Sequence, residues 1–276
     1  VTIFGYLNGW IDTFIIGYLL NNYEVGLYNA AFLVSQFLIL FPNVLMPLAL
    51  PIVGPHFARK EFKDVDLIAK QIAKWIIIMN VFVLIVILSF PGTVIRIIFG
   101  TKYFASVSPL VILSIGFFIS ALTPLLLVFL SLHKKTKLIL FNTISILAVN
   151  ILLNFLLIPK YGIVGSALGT SVSNLMLLAL LVIETNTLYK TNLFSLNMIL
   201  IGISSILPIL LIMISKNLFP HHIIILSIAV GIGFVIYLLS LLKLRVMDNN
   251  DKNVLRAFVE KANINILRYI FRFIDK

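Results

Sequence analysis

Runs of about twenty mainly apolar residues recur along the chain, separated by short segments in which Lys, Asn, Gly and Pro gather. A helix rises roughly 1.5 Å per residue, so about 20 residues cross a hydrocarbon layer about 30 Å thick. Eight such runs stand at Ile3–Leu20, Val25–Leu50, Trp75–Ile95, Val107–Leu132, Leu138–Ile158, Gly162–Ile183, Leu196–Ser215 and Ile223–Leu242. A barrel strand would alternate apolar and polar positions over about ten residues. The stretch Ile76–Ile87 does not alternate, which leaves helices as the spanning element. The pattern predicts an all-α integral membrane protein with eight transmembrane helices.

Composition agrees, since 61% hydrophobic and 11% charged residues cannot be arranged as a core with a wetted surface. Cysteine is absent, so neither a disulfide framework nor a thiolate metal site is available. The chain begins at Val1, almost inside its first span, and is expected to be part of a longer protein. Basic residues that flank spans stay on the cytoplasmic side. Of the 21 Lys and Arg, seventeen fall in one set of alternate loops and in the tail, and only Arg96, Lys102, Lys160 and Lys216 fall in the other. Both ends of the chain are therefore expected in the cytoplasm, with the protein in the cell membrane and an even number of spans upstream.

The net charge of +11 then reads as a collar facing anionic lipid headgroups, and no nucleic-acid partner is implied. In the tail, Leu255, Val259, Ala262, Ile266, Ile270 and Phe273 recur at helical spacing with Arg256, Lys261, Arg268 and Arg272 between them. This predicts either a helix lying in the membrane interface or a solvated helix against the protein's own loops.

Four local sequences together resemble a known family. They are Ile11–Ala31 (IDTFIIGYLLNNYEVGLYNAA), Leu50–Lys60 (LPIVGPHFARK), Ile97–Ser114 (IIFGTKYFASVSPLVILS) and Asn150–Ser173 (NILLNFLLIPKYGIVGSALGTSVS). In order and spacing they are similar to polysaccharide flippases, the O-antigen and teichoic-acid type exporters of the multidrug/oligosaccharidyl-lipid/polysaccharide superfamily. The resemblance covers about residues 1–215. It implies a six-helix C-terminal lobe over 1–185, two further spans over 186–242 and a basic cytoplasmic tail over 243–276. It also implies a partner lobe upstream and a substrate made of oligosaccharide on a polyprenyl pyrophosphate.

Asp12 is the one acid read as lying well inside a span, where a charge costs about 2.5–3.5 kcal/mol on insertion scales. Asn8 lies one turn earlier on the same face, Asn150 and Asn154 share a face of the fifth span, and Thr170 lies in the sixth. Counted from the outer ends of their spans, Asp12, Asn150 and Thr170 each stand roughly 12–13 Å deep, so they can meet. A carboxylate with amide and hydroxyl oxygens suits a small hard cation such as sodium, or a proton on the carboxylate. The resemblance extends to lipid II flippases and implies a sodium site here from Asp12, Asn150, Asn154 and Thr170, with the Ser166 carbonyl a further ligand. Asn154 departs from that pattern where the family can place a second carboxylate, which weakens sodium and favours a proton-coupled or uncoupled site. The competing reading is interhelical hydrogen bonding alone, worth about 0.6 kcal/mol per contact. No resident cofactor is implied beyond this coupling ion.

Gly5, Gly9, Thr13 and Gly17 recur every four positions, and Gly165, Gly169 and Ser173 form a second stripe that lets backbones approach. Pro42, Pro47, Pro91, Pro124 and Pro208 are expected to bend their spans. Asp64 and Asp66 beside Lys63 and Lys70 read as a solvated charge run, and His221 with His222 as an outer loop. No phosphate loop, nucleophile elbow or paired intramembrane carboxylates are found, which disfavours an enzyme such as a membrane transferase. The alternative to a flippase is a multidrug extruder in which Asp12 holds cationic drugs. The charge pattern makes a direct prediction: tags inserted after Lys135 and after Lys160 will report from opposite sides of the membrane, and finding both in one compartment overturns the topology.

Overall fold

The computed structural model describes residues 2–189, 196–218, 223–244, 246 and 251, with side chains except those of 2–9, 48, 189, 196, 197 and 223. Nearly all of the basic tail, His221 and His222, Lys190, the Asn8 side chain and the surroundings of Gly5 and Gly9 lie outside the described residues. Among the described residues regular structure is wholly helical. The chain divides into two compact units, 1–195 and 196–276.

In the first unit the helices are α1 (Thr2–Leu19), α2 (Asn22–Ser35), α3 (Phe37–Ala58), α4 (Phe62–Ser89), α5 (Pro91–Phe99), α6 (Val107–Ile119), α7 (Thr123–Leu132), α8 (Thr136–Tyr161) and α9 (Ile163–Tyr189). In the second they are α10 (Leu196–Ser204), α11 (Ile206–Leu218) and α12 (Ile223–Lys243). Among the described residues six stretches are long and apolar enough to cross a membrane: Phe62–Ser89, Thr101–Leu132, Thr136–Tyr161, Ile163–Leu188, Met198–Leu218 and Ile224–Lys243. The pair Asn22–Ser35 and Phe37–Pro47 makes a seventh if taken as one bent span. The protein is thus a multi-pass membrane protein, with six to seven such spans by length and composition among the described residues.

Several expected spans are broken. Val25–Leu50 bends by 47° between α2 and α3. There the Ser35 hydroxyl donates back to the Ala31 and Phe32 carbonyls at 2.9 Å each, and Pro42 withholds an N–H in the turn that follows. Pro91 follows the α4 span, and Pro124 lies inside Thr101–Leu132, just after a short 3-10 turn at Ser120–Leu122. Each stands in the first turn of a new helix, α5 and α7, where its missing N–H is no loss. The expected seventh span breaks at Ser205, before Pro208.

Several hydroxyls inside the helices are satisfied by the helices themselves. Thr143, Thr185, Ser204 and Ser215 each donate to the carbonyl four residues back, at 2.7–2.8 Å. A backbone and its hydroxyls can therefore enter lipid without water. Apolar side chains such as Phe14, Phe141, Leu156 and Ile183 point outward, as a lipid-facing surface requires.

Close approach governs the packing of the first unit. Its core gathers Ile16, Leu27, Ala31, Leu38, Ile95, Leu110, Leu113, Ile158 and Ala167, all buried. α8 and α9 are joined through Gly162 alone, whose φ of 59° turns the chain back sharply. A Cβ at Gly165 would overlap the Leu157 carbonyl of α8, and one at Gly169 would press on Leu153. The expected stripe of small residues on α9 thus works as a packing surface. In the second unit, Gly233 brings α12 against Ile212 of α11.

Substituting Gly165 by Ala should therefore force α8 and α9 apart at their tightest point. The expected loss is about 1–3 kcal/mol, read as a lower thermal midpoint in detergent, while Gly54→Ala, where the space is open, should fall within about 0.5 kcal/mol. An unchanged midpoint for Gly165→Ala contradicts the packing described.

Candidate functional site

α1 and α2 form a hairpin across Leu20 and Asn21. The Asn21 side chain caps α2 by accepting from the Glu24 N–H at 3.0 Å. The hairpin register pairs residues sixteen apart. Thr13 donates to Asn29 Oδ1 at 3.0 Å, and the Tyr28 hydroxyl donates to Asp12 Oδ2 at 2.7 Å. Nearer the turn, Gly17 packs against Val25.

The same Asp12 carboxylate reaches the other two helices. Asn154 Nδ2 of α8 donates to Oδ1 at 2.7 Å, and the Thr170 hydroxyl of α9 donates to Oδ2 at 2.6 Å. Around these first partners the network closes. Tyr28 and Thr170 oxygens lie 3.2 Å apart, Asn150 Nδ2 donates to Thr170 Oγ1 at 3.4 Å, and Asn154 Nδ2 also approaches the Asn150 carbonyl at 2.9 Å and its Oδ1 at 3.2 Å. Asp12 is 1% exposed and Asn154 fully enclosed. Four helices thus converge on one anionic group, and each supplies a side chain.

Five of the residues named from the sequence can be placed, and the Asn8 side chain is not among those described. Asp12, Asn150, Asn154 and Thr170 are joined by hydrogen bonds, and Ser166 lies buried one turn before Thr170 on α9. Two oxygens are left over, because Asn154 Oδ1 and Ser166 Oγ are buried with no hydrogen-bond partner. An unsatisfied buried oxygen is costly, which makes these the places where a cation could be accommodated.

Sequence reading missed two groups. Tyr28 donates directly to the carboxylate, and its signal was available: counted from the Leu20–Asn21 turn it stands as deep on α2 as Asp12 does on α1. Glu184 was the second. α9 runs past Ile183 to Tyr189, so Glu184 lies within the candidate span, and Asn142 Nδ2 of α8 donates to its two oxygens at 2.9 and 2.8 Å. Lys74, just before the expected span Trp75–Ile95, is buried in α4. At the α3–α4 turn, His56 Nδ1 lies 2.6 Å from Glu61 Oε2 with Asp64 nearby, and Asp66 pairs with Lys70 at 2.6 Å. These groups are half-buried or exposed.

Comparison with known proteins gives distant matches. No family model matches the chain. It is similar to the probable low-salt glycan biosynthesis flippase Agl15 of Haloferax volcanii, at 25% identity over 169 residues, which is 61% of this chain and 36% of that protein. It is also similar to the probable flippase AglR of the same organism, at 24% identity over 176 residues, 59% of this chain and 35% of that protein. The chain spans about a third of the length of these curated relatives, and the relationship is one of distant homology to archaeal glycan-biosynthesis flippases.

The geometry makes Tyr28 a direct support of the carboxylate. Tyr28→Phe should cost about 1.5–3 kcal/mol of thermal stability, the range for a hydrogen bond to a charged group, and much less once Asp12 has been changed to Asn. Equal costs in the two backgrounds would show that the hydroxyl does not act through Asp12.

Proposed function

We propose that the chain is the C-terminal part of a flippase that moves an oligosaccharide carried on a lipid pyrophosphate across the cell membrane for surface glycan synthesis. The observation that carries this is the distant homology, over about three-fifths of the chain, to two proteins named as probable flippases, one of them for low-salt glycan biosynthesis. Those relatives are transporters by name and not enzymes. In this reading α1 is an eighth span beside the seven described, residues 1–185 are one six-helix lobe and the two spans after it are additions. A second lobe completes the cavity wall. The basic loops put both ends of the chain in the cytoplasm.

Asp12 is then the ion-coupling group of the transporter. A proton would sit on its carboxylate, and a sodium ion would be held by that carboxylate with the oxygens of Thr170, Asn150, Asn154 and Ser166. The two unpartnered oxygens of Asn154 and Ser166 fit a hard cation, and with Asn154 in place of a carboxylate the site carries one negative charge. Releasing the ion leaves the carboxylate anionic, and the Tyr28, Thr170 and Asn154 donors stabilise that form. Those donors fill the space around Asp12, which disfavours an organic cation at this site and so the multidrug reading.

The test uses the full-length protein in liposomes with a lipid-linked oligosaccharide. Asp12→Asn should insert at normal levels yet lose all response of flipping to sodium or pH gradients. A variant that responds as the wild type does removes the coupling role, and a wild type that flips no such lipid removes the flippase reading.

A further inference from the structure

Four side chains on one face of α8 stand one turn apart: Asn142, Ile146, Asn150 and Asn154. All four are buried. On α9, Ser166, Thr170, Ser173 and Leu181 are buried and Glu184 is half-buried, all at helical spacing, and Thr170 and Glu184 bond to α8. The seam between the two helices is therefore polar at both ends and apolar between them. One end is the Asp12 crossing. The other is Glu184, held by Asn142 through both carboxylate oxygens. Between them Ile146 and Leu181 are fully buried. Asn142 and Asn154 are twelve residues apart on α8, so the two carboxylates lie roughly 18 Å apart along the seam.

The two ends differ in their access to water. Asp12 is sealed, whereas Glu184 is half-buried about one turn from the end of its span. Glu184 accepts from Asn142 alone among the described residues, apart from a backbone bond, and has no ion pair there. The charged groups at this end of the elements packed on α9 are Lys135 and Lys137 at the start of α8 and His133 and Lys134 behind α7; α6 and α7 carry none. Asp12 on α1 and Tyr28 and Glu24 on α2 belong to the other end. An acid inside a span is costly to keep unless its charge is used. A single amide that steadies both oxygens leaves the carboxylate free to take and give a proton. One further buried group, Ser173 Oγ, has no hydrogen-bond partner and stands one turn beyond Thr170 toward Glu184.

The geometry points to Glu184 as a second proton station, on the cytoplasmic end of the α8–α9 seam, through which the Asp12 carboxylate exchanges its proton with water. The buried Ile146 and Leu181 are the dry plug that separates the two stations in this conformation. Transfer balances simply: Glu184 binds a proton from cytoplasmic water, and when the plug opens the proton passes by way of Ser173 and Thr170 to Asp12, leaving Glu184 anionic again. This rests on the ion-coupled reading above and adds the path and the side from which the site is loaded.

The experiment follows protonation of Asp12 by infrared spectroscopy. The full-length protein sits in liposomes with its cytoplasmic face outward, and the outer medium is acidified suddenly. The Asp12 signal is the carboxyl C=O band that Asp12→Asn lacks. Glu184→Gln keeps an acceptor for Asn142 and should slow the rise of that band by about a hundredfold, the range for a positioned proton-transfer group. Ile146→Ser, which puts a hydroxyl into the plug, should speed it. A folded Glu184→Gln protein with the wild-type rate overturns the proposal. Should that variant fail to fold, Ile146→Ser decides, since an unchanged rate there overturns it equally. Loss of lipid flipping in the wild type, with the Glu184 dependence intact, would instead strike the flippase reading alone.

Discussion

A carboxylate carried into hydrocarbon must find donors within the protein, because the lipid offers none. Asp12 finds them on α2, α8 and α9 at 2.6–2.7 Å. Remove that need and little obliges a hairpin at the start of the chain to register against a hairpin 140 residues later. The apolar core around Ile16, Leu27 and Ala167 would bury surface in many arrangements. In lipid, where apolar contact discriminates weakly between partners, the polar crossing fixes which helix faces meet. The glycines at 165 and 169 then set how closely they do.

The helical architecture was legible because spans are written in lipid-scale lengths, and the crossing was legible because depth can be counted from a turn. Asp12, Asn150 and Thr170 were placed together by that count alone. Tyr28 escaped because aromatic residues are so common in these spans that one more carries no mark. Glu184 escaped because hydropathy ends a span at the first charge, whereas the helix continues through it to Tyr189. The breaks at Gln36 and Ser205 and the new helices begun by Pro91 and Pro124 depend on local bonding that a run of apolar letters does not record. Proline reads as a kink in a sequence, but its place in a first turn is decided by where the preceding helix stops.

The arrangement also assigns rigid and yielding parts within the first unit. α8 and α9 are clamped through Gly162 and Gly165, so their seam is well suited to hold two carboxylates at fixed depth. α3, by contrast, holds four prolines and begins at a 47° bend. The proposed transport would use both: a seam that keeps the two acids in register and a helix whose four prolines each withhold a backbone bond.

The account stands on Asp12 and Asn154 acting on each other across 142 residues of chain. A double-mutant cycle on the thermal stability of the detergent-solubilised protein, with Asp12→Ala, Asn154→Ala and the pair, measures that directly. A coupling of about 1 kcal/mol or more is predicted, near the upper range known for contacts within membranes. Costs that simply add, within about 0.3 kcal/mol, would mean that the two side chains do not meet and that the crossing is not what organises the fold.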